Sequence, residues 1–262
     1  MKILALIGSY RKKGNTARMA KMIEAEIEAM AARQNEPLEF ETLYLGHMEI
    51  EFCRGCRSCF DRGEERCPLK DDVPAIRARI DAADAVILAS PVYVDDVSGI
   101  LKNWIDRMAY VCHRPAFAGK CAYLVATVAD SPTSHTLRTM NAALRTWGIH
   151  IVGQAGYKMG ALMDPEEAER RYRDEAAQIA QALFEAISQE RALRPSFLSL
   201  MIFRIQQRAW QEAADPDSVD YAYWKDQGWF DPGCTFYIDH RASPIKVALA
   251  RLAGAALAPF VT

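Results

Sequence analysis

Two groups of residues in this chain are equipped for chemistry. The first is Cys53, Cys56, Cys59 and Cys67, four thiols within fifteen residues in the run Cys-Arg-Gly-Cys-Arg-Ser-Cys-Phe-Asp-Arg-Gly-Glu-Glu-Arg-Cys-Pro. Its spacing is C-x2-C-x2-C-x7-C, with Pro68 directly behind the last cysteine. A related spacing, C-x2-C-x2-C-x3-C-P, ligates iron–sulfur clusters, because a short glycine-containing loop can curl three thiolates around one face of a cube. Zinc competes for such a run, although structural zinc sites usually pair two C-x2-4-C knuckles far apart in sequence. Reduced cysteines that hold nothing are the third reading. Arg54, Arg57 and Arg62 would stabilise the negative charge of a thiolate-ligated site under either metal reading.

The second group is Gly8-Ser9-Tyr10-Arg11-Lys12-Lys13-Gly14-Asn15-Thr16, which follows an apolar run and opens a helical pattern. Backbone N–H groups in such a loop, together with a helix N-terminus, form a phosphate site. Ser9 and Thr16 can add hydroxyls, Asn15 an amide, and Arg11 a charge suited to phosphate. Asn15 stands where a P-loop lysine would be, so nucleoside-triphosphate hydrolysis is not expected. The absence of G-x-G-x-x-G likewise argues against a dinucleotide-binding Rossmann loop. A plain hydrophilic turn with an Asn helix cap is the alternative.

Elements must place these loops. Apolar β-type runs at 2–7, 38–43, 85–89, 121–128 and 150–155 alternate with helical patterns near 15–33, 72–82, 98–109, 134–147 and 165–189. That rhythm predicts an α/β protein with a doubly wound, five-stranded parallel sheet covered on both faces, and the flavodoxin-like order 2-1-3-4-5 belongs to that class. Ligands of such sheets bind at the carboxyl ends of the strands where the order reverses, here between strands one and three. Residues 9–16 and 90–94 would then border one crevice. Within the second segment, Pro91-Val92-Tyr93-Val94 offers an apolar edge, an aromatic ring and backbone donors. Asp95 and Asp96 follow, either as an acidic pocket mouth or as a helix cap.

The pattern changes near residue 191. Residues 1–190 read as the sheet domain carrying the cysteine loop 53–67, and 191–262 as a mainly helical C-terminal extension packing on that domain or at a subunit interface. Its helical patterns lie at 195–210 and 245–261, with an aromatic stretch between them. The composition is that of a soluble globular protein, 50% hydrophobic and 25% charged with a net charge of −2. It has no basic excess of the kind that binds nucleic acid, and no apolar segment long enough to span a bilayer. Seven cysteines without a signal peptide argue for reduced thiols or metal ligands and a cytoplasmic setting. Cys121 reads as a small core hydrophobe, and His113 as structural, placed away from both candidate sites.

Gly8-Ser9-x-Arg11-x-x-Gly14-Asn15-Thr16, Ser90-Pro91-Val92-Tyr93 and the run Val97-Ser98-Gly99-Ile100-Leu101-Lys102-Asn103-Trp104-Ile105-Asp106-Arg107 together resemble the NAD(P)H-dependent FMN reductase family of flavodoxin-like proteins. With the cysteine run added, the resemblance is nearest to the iron–sulfur flavoproteins. It implies an FMN-dependent oxidoreductase or electron-transfer protein, with the FMN phosphate on Ser9, Arg11, Gly14, Asn15 and Thr16, and the isoalloxazine on Pro91, Val92, Tyr93 and Val94. It further implies a [4Fe–4S] cluster on Cys53, Cys56, Cys59 and Cys67, NAD(P)H as a possible donor, a small-molecule or protein redox partner, and a homo-oligomer (dimer or tetramer). The family's third flavin segment is often glycine-rich; here residues 127–135 contain no glycine, which leaves Asp130, with Ala129 or His135, as its candidate contact. The resemblance requires no catalytic side chain, because the cofactor performs the chemistry. A cluster-free NAD(P)H-dependent FMN or quinone reductase and a non-catalytic zinc-stabilised binding module are the competing functions.

Overall fold

The computed structural model describes residues 1–160, 163–212 and 215–260. Strands β1 (Lys2–Ile7), β2 (Glu39–Tyr44), β3 (Ala85–Pro91), β4 (Cys121–Val128) and β5 (His150–Lys158) form one parallel sheet in the order β2-β1-β3-β4-β5. The expected order is therefore present, with β3 and β5 running two and three residues beyond the expected ends. β1 pairs with both β2 and β3, Leu4 lying opposite Glu41 on one side and Val86 on the other. Its alternate residues enter two different cores: Ile3, Ala5 and Ile7 on one face, Leu4 and Leu6 on the other. A strand buried on both faces must be apolar throughout, which is why β1 and β3 read as unbroken hydrophobic runs and the edge strand β2 does not.

Helices α1 (Asn15–Gln34) and α6 (Pro165–Ser188) cover the first face. α3 (Val73–Ala82), α4 (Gly99–Arg107) and α5 (Ser134–Thr146) cover the second, while α2 (Ser58–Asp61) is a single turn inside the cysteine loop. α1 ends on Asn35 at φ +54°, whose N–H bonds the carbonyls of Ala31 and Ala32, the left-handed stop that Asn tolerates.

Beyond α6, helices α7 (Phe197–Glu212), α8 (Val219–Asp226) and α9 (Pro244–Leu257) build a third core from Leu200, Phe203, Trp224, Trp229, Phe236 and Ala250. Gly254 lets α9 lie directly on α7: a Cβ there would sit 2.8 Å from the Met201 carbonyl oxygen. The end of the expected 245–261 helix, Val261, is outside the described residues. Among the described residues no helix is long and apolar enough to cross a membrane.

Candidate functional site

A cleft of about 240 Å3 opens at the carboxyl ends of β1, β3 and β4, lined by Ser9, Arg11, Gly14, Asn15, Thr16, Pro91, Val92 and Tyr93 together with Thr127, Val128, Ala129 and Met159. Eight of the ten residues expected at a flavin are thus brought to one surface. Val94 and Asp130 are not: Val94 projects fully into solvent, and Asp130 pairs with Lys158 at 3.0 Å on the outer rim.

The loop between β1 and α1 is held by its neighbours. Gly8 N–H bonds the Ala89 carbonyl (2.8 Å), the Ser98 hydroxyl donates to the Gly8 carbonyl (2.6 Å), and Ser98 N–H donates to Ser90 Oγ (3.1 Å). Ser98 also caps α4 by accepting from Leu101 N–H, so one hydroxyl-bearing residue joins the first loop, the end of β3 and a helix. Asp96 does not cap that helix; it accepts from Val97 N–H, and Asp95 faces His135 across the mouth at 3.6 Å.

Within the loop, Ser9 Oγ accepts from Arg11 N–H (3.1 Å), turning the chain toward the helix. α1 has no acidic residue in its first turn and no side-chain cap, which leaves its positive end and orphan N–H groups facing the cleft. Arg11 is exposed, and its guanidinium has no ion-pair partner among the described residues. Asn15 and Thr16 are engaged elsewhere. Asn15 Nδ2 donates to the Met159 carbonyl (2.7 Å), and the Thr16 and Thr127 hydroxyls bond at 2.6 Å in the buried floor. These two side chains fasten the loop to β4 and to the end of β5, a role their types alone did not indicate.

The opposite wall is a tight turn. Tyr93 and Asp96 exchange backbone hydrogen bonds (2.9 and 3.1 Å), and Val94 and Asp95 both have positive φ, +50° and +65°. A β-branched residue in the left-handed region is strained, and such strain gathers at ligand sites. The turn leaves Tyr93 half-exposed over the cleft.

The cysteine loop follows β2 and so leaves the same edge of the sheet. Cys53 and Cys56 are exposed, Cys59 and Cys67 half-buried. Burial pushes the Cys59 thiol up, opposed by a backbone hydrogen bond at Cys59; the nearby Cys67 and Cys53 raise it further. Cys53 and Cys67 therefore lie within electrostatic reach of Cys59. Among the described residues no three Cys, His, Asp or Glu side chains are yet gathered to ligand distance. Cys59 and Cys67 border a cavity of about 560 Å3 that also touches Arg77, Arg107 and Tyr110.

The three arginines expected to serve the thiols have other partners: Arg54 pairs with Glu51 (3.4 Å), Arg57 with Asp61 (3.1 Å), and Arg62 donates to Ser58 Oγ (2.5 Å). The guanidinium beside a thiol is that of Arg107 on α4, 3.8 Å from Cys67 Sγ. Arg107 also bonds Asp71 and the Glu51 carbonyl (2.9 Å), its side chain and that of Asp71 being 4% and 2% exposed. Burial alone would raise the Asp71 carboxyl, but the Arg107 guanidinium and the N–H groups of Glu51 and Val73 hold it below the usual range. One turn earlier, Asn103 accepts from Cys53 N–H (3.1 Å) and donates to the Glu51 carbonyl (3.1 Å). α4 thus grips both ends of the cysteine loop with one face and anchors two loops of the cleft with its cap.

Residues 1–161 match the family of NADPH-dependent FMN reductases. The chain belongs to that family. It is a flavin-dependent oxidoreductase with FMN as its cofactor. An iron–sulfur flavoprotein of Archaeoglobus fulgidus is 30% identical over 230 residues, covering 87% of this chain and all of that protein. One from Methanosarcina thermophila is 29% identical over 171 residues, covering 64% and 85%. The fold is shared with RosB, solved with bound 8-demethyl-8-formylriboflavin-5'-phosphate, at a TM-score of 0.53 and 14% identity over 82% of this chain and 88% of that one.

Sequence reasoning passed over Met159 because its contribution comes through a backbone carbonyl, which carries no residue signature. Asn103 and Arg107 stand out in the sequence only as members of the run 97–107, and Thr127 only as the start of the segment 127–135, with no individual role legible for any of them. The amphipathic pattern of α4, with a polar residue at 103 and 107 on an otherwise buried face, was the available signal.

Proposed function

We propose that the protein is an iron–sulfur flavoprotein, an FMN-dependent oxidoreductase whose Cys53, Cys56, Cys59 and Cys67 hold a [4Fe–4S] cluster beside the flavin. Bound FMN supplies two-electron chemistry with NAD(P)H and one-electron chemistry with a cluster, which itself carries single electrons. On the protein's side, Arg11, Ser9, Gly14 and the start of α1 would hold the phosphate, with Asn15 and Thr16 fixing that loop from below. Pro91, Val92 and Tyr93 would orient the ring and shield it from water. Val94 and Asp130 would serve only as its outer rim.

The observation that supports the cluster reading is the placement of the thiols: Cys53, Cys56, Cys59 and Cys67 lie on one loop that leaves the carboxyl edge of the sheet after β2, Cys59 and Cys67 border one cavity, and an arginine stands at Cys67 to offset thiolate charge. Gly55 and Arg57 at φ +61° and +62° curl the loop between the first three thiols. The iron–sulfur names of the archaeal relatives agree with it. The test is metal, sulfide and flavin content of protein purified without air. Iron and labile sulfide near four per chain, with FMN, is the expected result. FMN with rapid NAD(P)H oxidation and no iron would establish the cluster-free reductase instead, and zinc would overturn the cluster.

The same proposal includes a redox partner at the open edge and assembly with a second copy. Ile245, Leu249 and Leu252 form one exposed apolar face of α9, at 74%, 54% and 70% exposure, of the kind that marks an interface. Replacing Leu249 and Leu252 by Glu should reduce the mass in solution to that of one chain, and an unchanged mass would place the contact elsewhere.

A further inference from the structure

The cysteine loop has a third attachment, and it comes from the C-terminal extension. Arg114 follows the short helical turn Ala109–Cys112, and its side chain is 3% exposed. Its guanidinium donates to Asp220 Oδ1 on α8 (2.5 Å) and to the Cys59 carbonyl (2.5 Å), and reaches Glu64 at 3.2 Å. The same Asp220 bonds His113 Nδ1 through its other oxygen (2.8 Å). The His113 ring packs between Phe60 (4.8 Å) and Trp210 of α7 (5.0 Å), and Trp224 of α8 donates to the His113 carbonyl (2.8 Å). His113 therefore belongs to the rear of the cysteine loop, which folds back over the segment following α4.

Burying a carboxylate against an arginine is costly unless every group is paired, so apolar packing of Trp224 and Phe203 would dock the extension more simply without it. What the pair adds is direction. A guanidinium is a rigid planar fork, and seating one edge on Asp220 fixes where the other edge points. Here it points at the carbonyl of Cys59, the most buried region of the thiol run.

We propose that the C-terminal extension is the rear wall of the cysteine loop, and that Asp220 is a positioning residue which, through Arg114, fixes the backbone of Cys59. The loop is then held at three points by three parts of the chain: Cys53 by Asn103, Cys67 by Arg107, and Cys59 by the Arg114–Asp220 pair. This assigns the extension a function at the cysteine site, beyond oligomer contact, and it holds whatever the thiols bind.

Amide hydrogen exchange read by mass spectrometry on the full-length, FMN-loaded protein tests it. In Asp220→Asn, exchange across residues 57–66 should accelerate roughly ten-fold or more while 9–16 and 85–91 keep the parent rate. Arg114→Lys keeps a charge for Asp220 but lacks the fork, so it should free 57–66 while 219–226 stays protected. Asp220→Glu, which retains the carboxylate, should restore much of the protection lost in Asp220→Asn. Parent rates across 57–66 in both Asp220→Asn and Arg114→Lys would overturn the proposal. So would uniform acceleration of every segment in Arg114→Lys, since the pair would then merely support the fold. Iron content on the same samples separates the two ideas: a parent without iron defeats the cluster reading and leaves this one to stand or fall on exchange.

Discussion

The strand-end cleft and the cysteine loop sit on one edge of one sheet and are built by opposite means. The cleft is formed by the ends of three adjacent strands, and its bonds run between immediate neighbours: Gly8 to Ala89, Val92 to Thr127, Thr16 to Thr127. Strand pairing sets that geometry, and side chains only trim it. The cysteine loop has no regular structure over residues 51–57, so nothing in the sheet fixes it. Its shape depends on buried polar side chains sent from α4 and from the segment after α4, where Arg114 is in turn paired with Asp220 of α8. A site built on strand ends tolerates change at single residues. One suspended from paired buried charges does not, because removing one partner leaves the other charged and unpaired in the interior.

The sharpest way to break this contrast is Asp71→Ala. Arg107 would be left buried without its carboxylate, and Glu51 and Val73 N–H without an acceptor. Thermal or denaturant unfolding should show a loss of about 3–5 kcal/mol. A loss under about 1 kcal/mol would mean the loop is not held by this pair. In the cleft, Arg11→Ala should weaken FMN binding about ten- to a hundred-fold by titration, the worth of one charge-assisted hydrogen bond. Because Arg11 is exposed and unpaired, the stability of the flavin-free protein should move by less than about 0.5 kcal/mol. Equal damage to stability in the two variants would erase the distinction between the sites.

The smallest effect concerns pH at the rear of the cysteine loop. The Asp220 hydrogen bond, aided by Cys112 and opposed by burial, raises His113 from 6.5 to about 9. A raised folded value means that its contribution is complete below pH 6.5 and is lost as pH rises through about 9. Between pH 8 and 10 the tryptophan fluorescence of α7 and α8 should report loosening, and His113→Gln should flatten that profile. The change should be modest, since the His113 side chain is 37% exposed.

Much of the cleft was legible because its signals are local. Gly8, Gly14 and the apolar run before them announce a strand, a turn and a helix start, and Ser90-Pro91-Val92-Tyr93 marks the matching strand end. Asn15 and Thr16 line the cleft as expected, and the structure adds that their side chains also bond Met159 and Thr127 across the sheet, which no local signal shows. Sequence reasoning assigned Arg54, Arg57 and Arg62 to the thiols by proximity in sequence, yet short-range acidic and hydroxyl partners claim all three. It separated His113 from both sites by counting along the fold, and could not see the cysteine loop turning back to meet it.

By itself the sequence determined the sheet, its strand order, the edge on which both sites stand, and the thiols available there. These follow from period, apolarity and turn chemistry, which act between residues near in the chain. Only the tertiary structure decided which arginine faces a cysteine sulfur, which carboxylate keeps that arginine buried, and what the extension touches. Those choices are made between residues tens of positions apart, 36 for Arg107 and Asp71 and 107 for His113 and Asp220. At such distances no local propensity acts. Desolvation decides instead, since a buried charge is retained only where packing delivers its partner.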